Sequence, residues 1–107
     1  MESKNLSKLM ADLKKGLHAL YGARMTGMLL YGSYARGESD SESDLDVLIL
    51  LNEFQHYGME IERTGELISN LSLEYGVSIS RKFMTARHWE THDSAYLRNL
   101  RIEAVAV

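Results

Sequence analysis

Apolar residues recur every three or four positions near the start of the chain. The apolar members of this repeat are Leu6, Leu9, Met10, Leu13, Leu17 and Leu20. Charged residues occupy the positions between them, so one face of a helix is apolar and the other is polar. We therefore predict an amphipathic helix from Asn5 to Tyr21. Gly22 is placed to end it, because glycine readily adopts the conformation of a helix C-cap.

Two apolar runs follow, and each of them predicts a strand. Met25–Tyr31 is the first, and Gly27 within it marks a bulge or the close approach of a neighbour. Leu45–Leu51 is apolar enough to be a central strand that is buried on both faces. Residues 38–44 between them contain only Glu, Ser and Asp, which is typical of a solvated loop.

The second half of the chain continues with a helical region and a third strand. Residues 54–75 predict a helix that Gly58 and Gly65 weaken, so we expect it to begin late or to bend. Gly76 is a plausible end for this helix, and residues 77–84 predict the third strand.

Two short helices complete the pattern. Thr85 is placed to cap a helix that runs through Trp89, and Asp93 or Ser94 is placed to cap a last helix through Glu103. The order of elements is helix, strand, strand, helix, strand, helix. It predicts an α+β fold with a small mixed β-sheet packed with helices, and we expect residues 1–107 to form a single domain.

Composition and charge narrow the class of protein. The 107 residues are 45% hydrophobic and 25% charged, as in ordinary soluble proteins. A net charge of -3 argues against binding driven by bulk electrostatics, so no direct nucleic-acid binding is expected. The absence of cysteine fits a cytoplasmic protein. No run approaches the roughly 20 apolar residues of a membrane helix, and the first residues lack the apolar core of a signal peptide.

The candidate chemistry begins with two aspartates at alternate positions, Asp44 and Asp46. Successive side chains of a strand point to opposite faces, so these carboxylates project from one face, roughly 6.5–7 Å apart along the chain. They repel each other, and a divalent cation between them relieves the repulsion. Asp46 lies within an apolar strand, where an unpaired carboxylate is costly to bury unless it binds a metal or faces a cleft.

A glycine and a serine supply the other half of the candidate site. Gly32 lets backbone N–H groups approach an anion closely, and a short helix starting near Ser33 would aim its positive end at the same point. Arg36 is placed either to meet phosphate oxygens, which its fork geometry suits, or to pin the acidic loop. The combination predicts a site for a metal-bound nucleoside triphosphate.

These residues together resemble a known signature. Gly32-Ser33, ten further residues and then Asp44-x-Asp46 is similar to the motif of the nucleotidyltransferase superfamily that includes DNA polymerase beta. The short chain resembles the minimal nucleotidyltransferase (MNT) group, which is typically encoded beside a HEPN ribonuclease toxin. The resemblance extends from about Leu6 to Asn99.

The resemblance implies a function and a set of roles. Ser33, Asp44 and Asp46 would be catalytic, with Asp44 and Asp46 as ligands of Mg²⁺. Gly32, Ser33 and Arg36 would bind the nucleotide, and ATP would be the substrate. The protein would then be an antitoxin that transfers AMP to a tyrosine hydroxyl of a HEPN toxin and silences its ribonuclease.

One departure from the family pattern leaves other functions open. Active members usually carry a third carboxylate on a later strand, but residues 77–81 contain no acid. Glu74 is the nearest candidate, although it also fits a surface position on a helix. Without the third acid, the chain could be a module that neutralises the toxin by binding alone. A third alternative is a small-molecule nucleotidyltransferase of the aminoglycoside type, for which the chain leaves little room to build an acceptor pocket.

Overall fold

Four strands form one mixed sheet in the computed structural model, which describes residues 1–107. The elements in chain order are α1 (Ser3–Tyr21), a 3-10 turn (Gly22–Arg24), β1 (Met25–Tyr31), α2 (Ser33–Arg36), β2 (Leu45–Leu51), α3 (Tyr57–Tyr75), β3 (Ile79–Thr85), α4 (Ala86–Thr91), α5 (Ala95–Glu103) and β4 (Val105–Ala106). The strand order is β3-β2-β1-β4. β2 pairs antiparallel with β1 and parallel with β3, and β4 pairs antiparallel with β1. The predicted α+β class and mixed sheet are confirmed.

Helices cover both faces of the sheet. The larger core lies between one face and helices α1 and α3, and a smaller core lies between the other face and α5. β2 contributes to both cores, with Val47 and Ile49 in the first and Leu48 and Leu50 in the second. It is thus a central strand buried on both faces, as predicted. Because side chains alternate along a strand, Asp46 belongs to the face that α5 covers.

The ends of the elements follow the sequence signals closely. Gly22 and Gly76 end α1 and α3 with positive φ angles of 56° and 65°. The side chain of Thr85 caps α4, and Ser94, rather than Asp93, caps α5. The register of β1 against β2 is irregular between Met25 and Gly27, which agrees with the first of the two alternatives for Gly27, a bulge.

Several boundaries differ from the prediction. α1 begins at Ser3 rather than Asn5, and α4 runs to Thr91 rather than Trp89. α3 begins at Tyr57 rather than Phe54, and β3 begins at Ile79 rather than Val77. β2 spans Leu45–Leu51 as predicted, so Asp44 lies just before the strand and strand alternation alone does not place its carboxylate on the face of Asp46. The pairing of β4 with Leu29 and Leu30 was not predicted, because two small-to-medium apolar residues carry no strand periodicity.

The long helices are amphipathic, and their buried faces include one charged group. Leu9, Leu13 and Leu17 of α1 are fully buried. Glu60 of α3 is also buried, where its carboxylate accepts a hydrogen bond from the Tyr21 hydroxyl at 2.7 Å. None of the helices has both the length and the apolar character needed to cross a lipid bilayer.

Candidate functional site

Gly32 and Asp46 lie directly against each other where β1 ends. The Cα of Tyr31 is paired with that of Asp46, and Gly32 is the next residue. Gly32 has a φ of 76°, and a Cβ added to it would lie 2.2 Å from Asp46 Oδ2. Only glycine therefore fits, both because of this backbone conformation and because the Asp46 carboxylate fills the space beside it.

The turn after Gly32 continues into a single helical turn. The Gly32 carbonyl accepts hydrogen bonds from the backbone N–H groups of Ala35 and Arg36, each at 3.1 Å. Ser33 is the first residue of α2 and is half-buried. Gly37 closes the turn with a φ of 72°. The short helix predicted near Ser33 is thus present.

The charge of Asp44 acts on Asp46 electrostatically. Burial is the main reason that the pKa of Asp46 is raised above its usual value, and the negative charge of Asp44 raises it further. The positive charges of Lys82 and Arg36 oppose this shift. Two negative charges that are close together and partly desolvated repel each other, and a bound cation would relieve this repulsion.

A third carboxylate reaches this site from α5, and the sequence did not reveal it. Glu103 Oε1 accepts a hydrogen bond from the Gly32 backbone N–H at 3.1 Å. Glu103 Oε2 forms an ion pair with Arg36 Nη1 at 3.0 Å. The residue is 71 positions from Gly32 in the sequence, and a glutamate at the end of a helix carries no signal for such a contact.

Arg36 also contacts the acidic loop. Its Nε atom lies 3.0 Å from Glu38 Oε2, and its pKa is raised mainly by hydrogen bonds to Glu38 and Glu103. Arg36 was predicted either to bind phosphate oxygens or to hold the acidic loop in place, and the structure shows the contact with the loop. The same guanidinium stands beside the Gly32 N–H, where an incoming anion would meet both groups.

On β3, a serine and a lysine stand where a third acid was sought. The Cα of Ser80 is paired with that of Asp46, and Lys82 follows on the same face of the sheet. Lys82 donates a hydrogen bond to the hydroxyl of Tyr96 on α5. Glu74 is exposed on α3, which packs on the opposite face of the sheet, so it lies apart from this cluster.

A separate cavity lies at the other end of β1 and β2. Its volume is about 320 Å³, and Arg24, Glu60 and Arg63 are among the residues that line it. The antiparallel pairing of β1 with β2 puts these residues far from Gly32 and Asp46. The candidate site lies instead where β1 ends and β2 begins, and we call this region the cleft.

The donor set at the cleft is incomplete for a cation held by protein alone. No three or more His, Asp or Glu side chains in the structure converge closely enough to bind one. Asp44 and Asp46 supply two carboxylates, and Mg²⁺ is commonly held by one or two carboxylates together with substrate phosphates and water. The residues present fit such a shared site.

The chain matches known proteins in both sequence and fold. A family model described as the nucleotidyltransferase domain matches residues 10–98. The protein named "Putative protein adenylyltransferase MJ0141", from Methanocaldococcus jannaschii, is 36% identical over 73 residues, which cover 68% of this chain and 73% of that protein.

Two solved structures share the fold at low sequence identity. The "Structure of putative minimal nucleotidyltransferase" superimposes with a TM-score of 0.63 at 24% identity, covering 100% of this chain and 97% of that one. A crystal structure of a toxin–antitoxin with AMP-PNP superimposes with a TM-score of 0.59 at 14% identity, covering 99% of this chain and 72% of that one. By its sequence match and its sheet topology, this chain belongs to the nucleotidyltransferase domain family and has the minimal nucleotidyltransferase fold.

Proposed function

We propose that this chain transfers AMP from ATP to a tyrosine hydroxyl of a HEPN ribonuclease toxin and thereby neutralises it. The contact between Gly32 and Asp46 is the observation that supports this function best. It brings the backbone N–H of a tight turn and a partly buried carboxylate into one cleft. Adenylyl transfer requires both a place for phosphate oxygens and a place for the accompanying cation.

The comparisons support the choice of acceptor and partner. MJ0141 is named as a protein adenylyltransferase, which favours a protein acceptor over a small molecule. The toxin–antitoxin structure with AMP-PNP has the same fold as this chain. We extend both features to this chain as part of the proposal.

Asp44 and Asp46 are the residues we assign to Mg²⁺. The pKa of Asp46 is raised by burial and by the charge of Asp44, so the pair gains from a divalent cation that balances both charges. When bound there, Mg²⁺ supplies charge neutralisation on the α-phosphate and on the departing pyrophosphate.

Gly32, Ser33 and Arg36 are the residues we assign to the triphosphate. The Gly32 N–H and the Arg36 guanidinium together hold the two oxygens of the Glu103 carboxylate. A phosphate group offers the same pair of anionic oxygens to the same two donors. Ser33, next to Gly32, adds a hydroxyl and a further backbone N–H. These residues fix the position of the phosphates so that the acceptor oxygen can approach in line.

The transfer itself needs no covalent intermediate with this chain. The tyrosine oxygen of the partner forms a bond to the α-phosphorus, and the bond from that phosphorus to the bridging oxygen of pyrophosphate breaks. Pyrophosphate departs with the electron pair, and the phenolic proton passes to water. Positioning and charge stabilisation supply the rate enhancement in such reactions.

The test combines the purified chain, Mg²⁺, ATP labelled at the α-phosphate and the proposed HEPN partner, for which the product of the neighbouring gene is the candidate. Label should appear on the partner. It should be lost in Asp44→Asn and Asp46→Asn, since each removes one charged ligand. Glu42→Gln is the matched control, because Glu42 is an exposed acid of the neighbouring loop. Label retained in both aspartate variants would contradict the assignment.

A second candidate function is neutralisation by binding alone. The observation that favours it is Ser80, which stands opposite Asp46 where a third carboxylate would be expected. If this alternative holds, the double variant Asp44→Asn/Asp46→Asn should still silence the ribonuclease of the partner. If the double variant binds the partner but leaves its ribonuclease active, catalysis is required.

A further inference from the structure

Tyr96 belongs to α5, which covers the face of the sheet that carries Asp46, and a lysine on that face donates a hydrogen bond to its hydroxyl. Lys82 Nζ donates a hydrogen bond to the Tyr96 hydroxyl oxygen and lies 4.8 Å from the centroid of its ring. The same ammonium group lies 5.9 Å from the ring centroid of Tyr31. Tyr31 is paired with Asp46 in the sheet, and the charge of Lys82 acts on Asp46. The ammonium group that holds the Tyr96 oxygen is therefore close to Asp46.

Tyr96 differs from the two other tyrosines near the cleft in its exposure and in the contact of its hydroxyl with a positive charge. Tyr31 is only 8% exposed, whereas Tyr96 is 51% exposed. Tyr34 belongs to α2, but its ring packs against the core on the α1 and α3 side. Of these three, only Tyr96 combines an accessible hydroxyl with a contact to a positive charge.

The remaining tyrosines have hydroxyl groups engaged elsewhere. Tyr21 and Tyr75 each donate a hydrogen bond to a carboxylate in the layer of α1 and α3. The hydroxyl of Tyr57 accepts a hydrogen bond from a backbone N–H of β3. Tyr57 is 44% exposed, which makes it a matched control for Tyr96.

We propose that Tyr96 is an adenylylation site of this chain, modified by its own cleft when no partner hydroxyl is present. This inference rests on the proposed adenylyl transfer and adds an acceptor within the chain. The Lys82 ammonium both orients the phenol oxygen and stabilises the negative charge that grows on it as the proton leaves.

The same bonds form and break in this step as in the transfer of AMP to a partner. The Tyr96 oxygen forms a bond to the α-phosphorus of ATP while the bond from that phosphorus to the bridging oxygen breaks. Pyrophosphate leaves with the electron pair, and the phenolic proton passes to water. The product is a phosphodiester between Tyr96 and AMP.

The experiment incubates the purified chain alone with Mg²⁺ and ATP labelled at the α-phosphate, then locates the label by tandem mass spectrometry. One AMP group is expected on the peptide that contains Tyr96. Tyr96→Phe should lower labelling at least tenfold, whereas Tyr57→Phe should leave it unchanged. Lys82→Met should slow labelling, and Lys82→Arg should restore it. Because the acceptor belongs to the same chain, the labelled fraction at a fixed time should not change on dilution.

Three outcomes would overturn the inference. They are label on another residue, no difference between Tyr96→Phe and the wild-type chain, and a labelled fraction that falls in proportion on dilution. A parallel reaction that includes the HEPN partner separates the two proposals. Label on the partner with none on Tyr96 overturns only the inference, whereas no label on either protein overturns the proposed function as well. Denaturation midpoints of the variants show that each one is folded.

Discussion

Glu103 accepts a hydrogen bond from the backbone N–H of Gly32, at a distance of 3.1 Å. Its other carboxylate oxygen accepts one from Arg36 at 3.0 Å. A side chain of α5 thus satisfies the two donors that we assign to the triphosphate. The two anions cannot occupy the same place, so the proposed triphosphate site would be open only after Glu103 moves away.

Replacing Glu103 should therefore strengthen nucleotide binding. In Glu103→Ala both donors are free and a negative charge is removed, so we expect the affinity for Mg²⁺ and AMP-PNP to rise about tenfold. The competing carboxylate makes two hydrogen bonds, but the one to Arg36 is exposed to solvent and should contribute little. Isothermal titration calorimetry measures this change. Glu38→Gln is the control, because Glu38 contacts Arg36 but not Gly32. Weaker binding in Glu103→Ala would show instead that Glu103 is a ligand in the complex.

Gly32→Ala should impair both the site and the stability of the fold. The new Cβ would meet Asp46 Oδ2 at 2.2 Å, and the φ of 76° disfavours any side chain. We expect a loss of roughly 1–3 kcal/mol in the free energy of unfolding, measured by urea denaturation, together with loss of AMP transfer.

Gly65→Ala is the matched control for that substitution. Gly65 lies within α3, and a Cβ there meets no atom within 4 Å. Alanine should stabilise the helix by about 1 kcal/mol because it has the higher helix propensity. Equal effects of the two substitutions would contradict the special role of Gly32.

Asp46 should make the metal-free chain less stable as the pH rises. Its pKa in the folded state is raised above the usual 3.8. As the pH rises, the Asp46 carboxyl therefore loses its proton at a lower pH in the unfolded chain than in the folded one. Folding stability is then highest below the unfolded pKa and falls as the pH passes from that value to the folded one.

Asp46→Asn should remove this fall. Because the carboxylate is partly solvated, the gain at neutral pH without Mg²⁺ should be at most about 1 kcal/mol. The difference between the denaturation curves of the two proteins, measured from acid to neutral pH, isolates this residue. A variant that is less stable than the wild type throughout would contradict the electrostatic account.

The buried pair of Tyr21 and Glu60 should contribute strongly to stability. Tyr21→Phe removes the 2.7 Å hydrogen bond to a buried carboxylate, and we expect a cost of about 1.5–3 kcal/mol. Tyr75→Phe removes a 2.6 Å bond to Asp12 that is only part-buried, so water can replace it and the cost should be smaller. Denaturation midpoints that fall in the reverse order would contradict this ranking.

Local signals in the sequence were sufficient to predict most of the helices and strands. Periodicity identified α1 and β2, and glycines with positive φ ended helices where they were predicted to do so. The resemblance carried by Gly32, Ser33, Asp44 and Asp46 indicated the family, which the match over residues 10–98 confirms.

The rest of the site depends on contacts between distant parts of the chain. Glu103 and Tyr96 reach the cleft because α5 packs over the face of β2 that carries Asp46. Lys82 reaches it because β3 pairs with β2 in parallel. No periodicity or motif marks these residues. The missing third carboxylate was visible in the sequence, but the lysine and tyrosine that stand in its region were not.

The most direct test of the proposed metal and triphosphate site is a crystal structure of the chain with Mg²⁺ and AMP-PNP. We predict a cation bound by Asp44 and Asp46, triphosphate oxygens at the Gly32 N–H, and Glu103 displaced from it. A nucleotide bound elsewhere, or a cation that touches neither aspartate, would contradict the account.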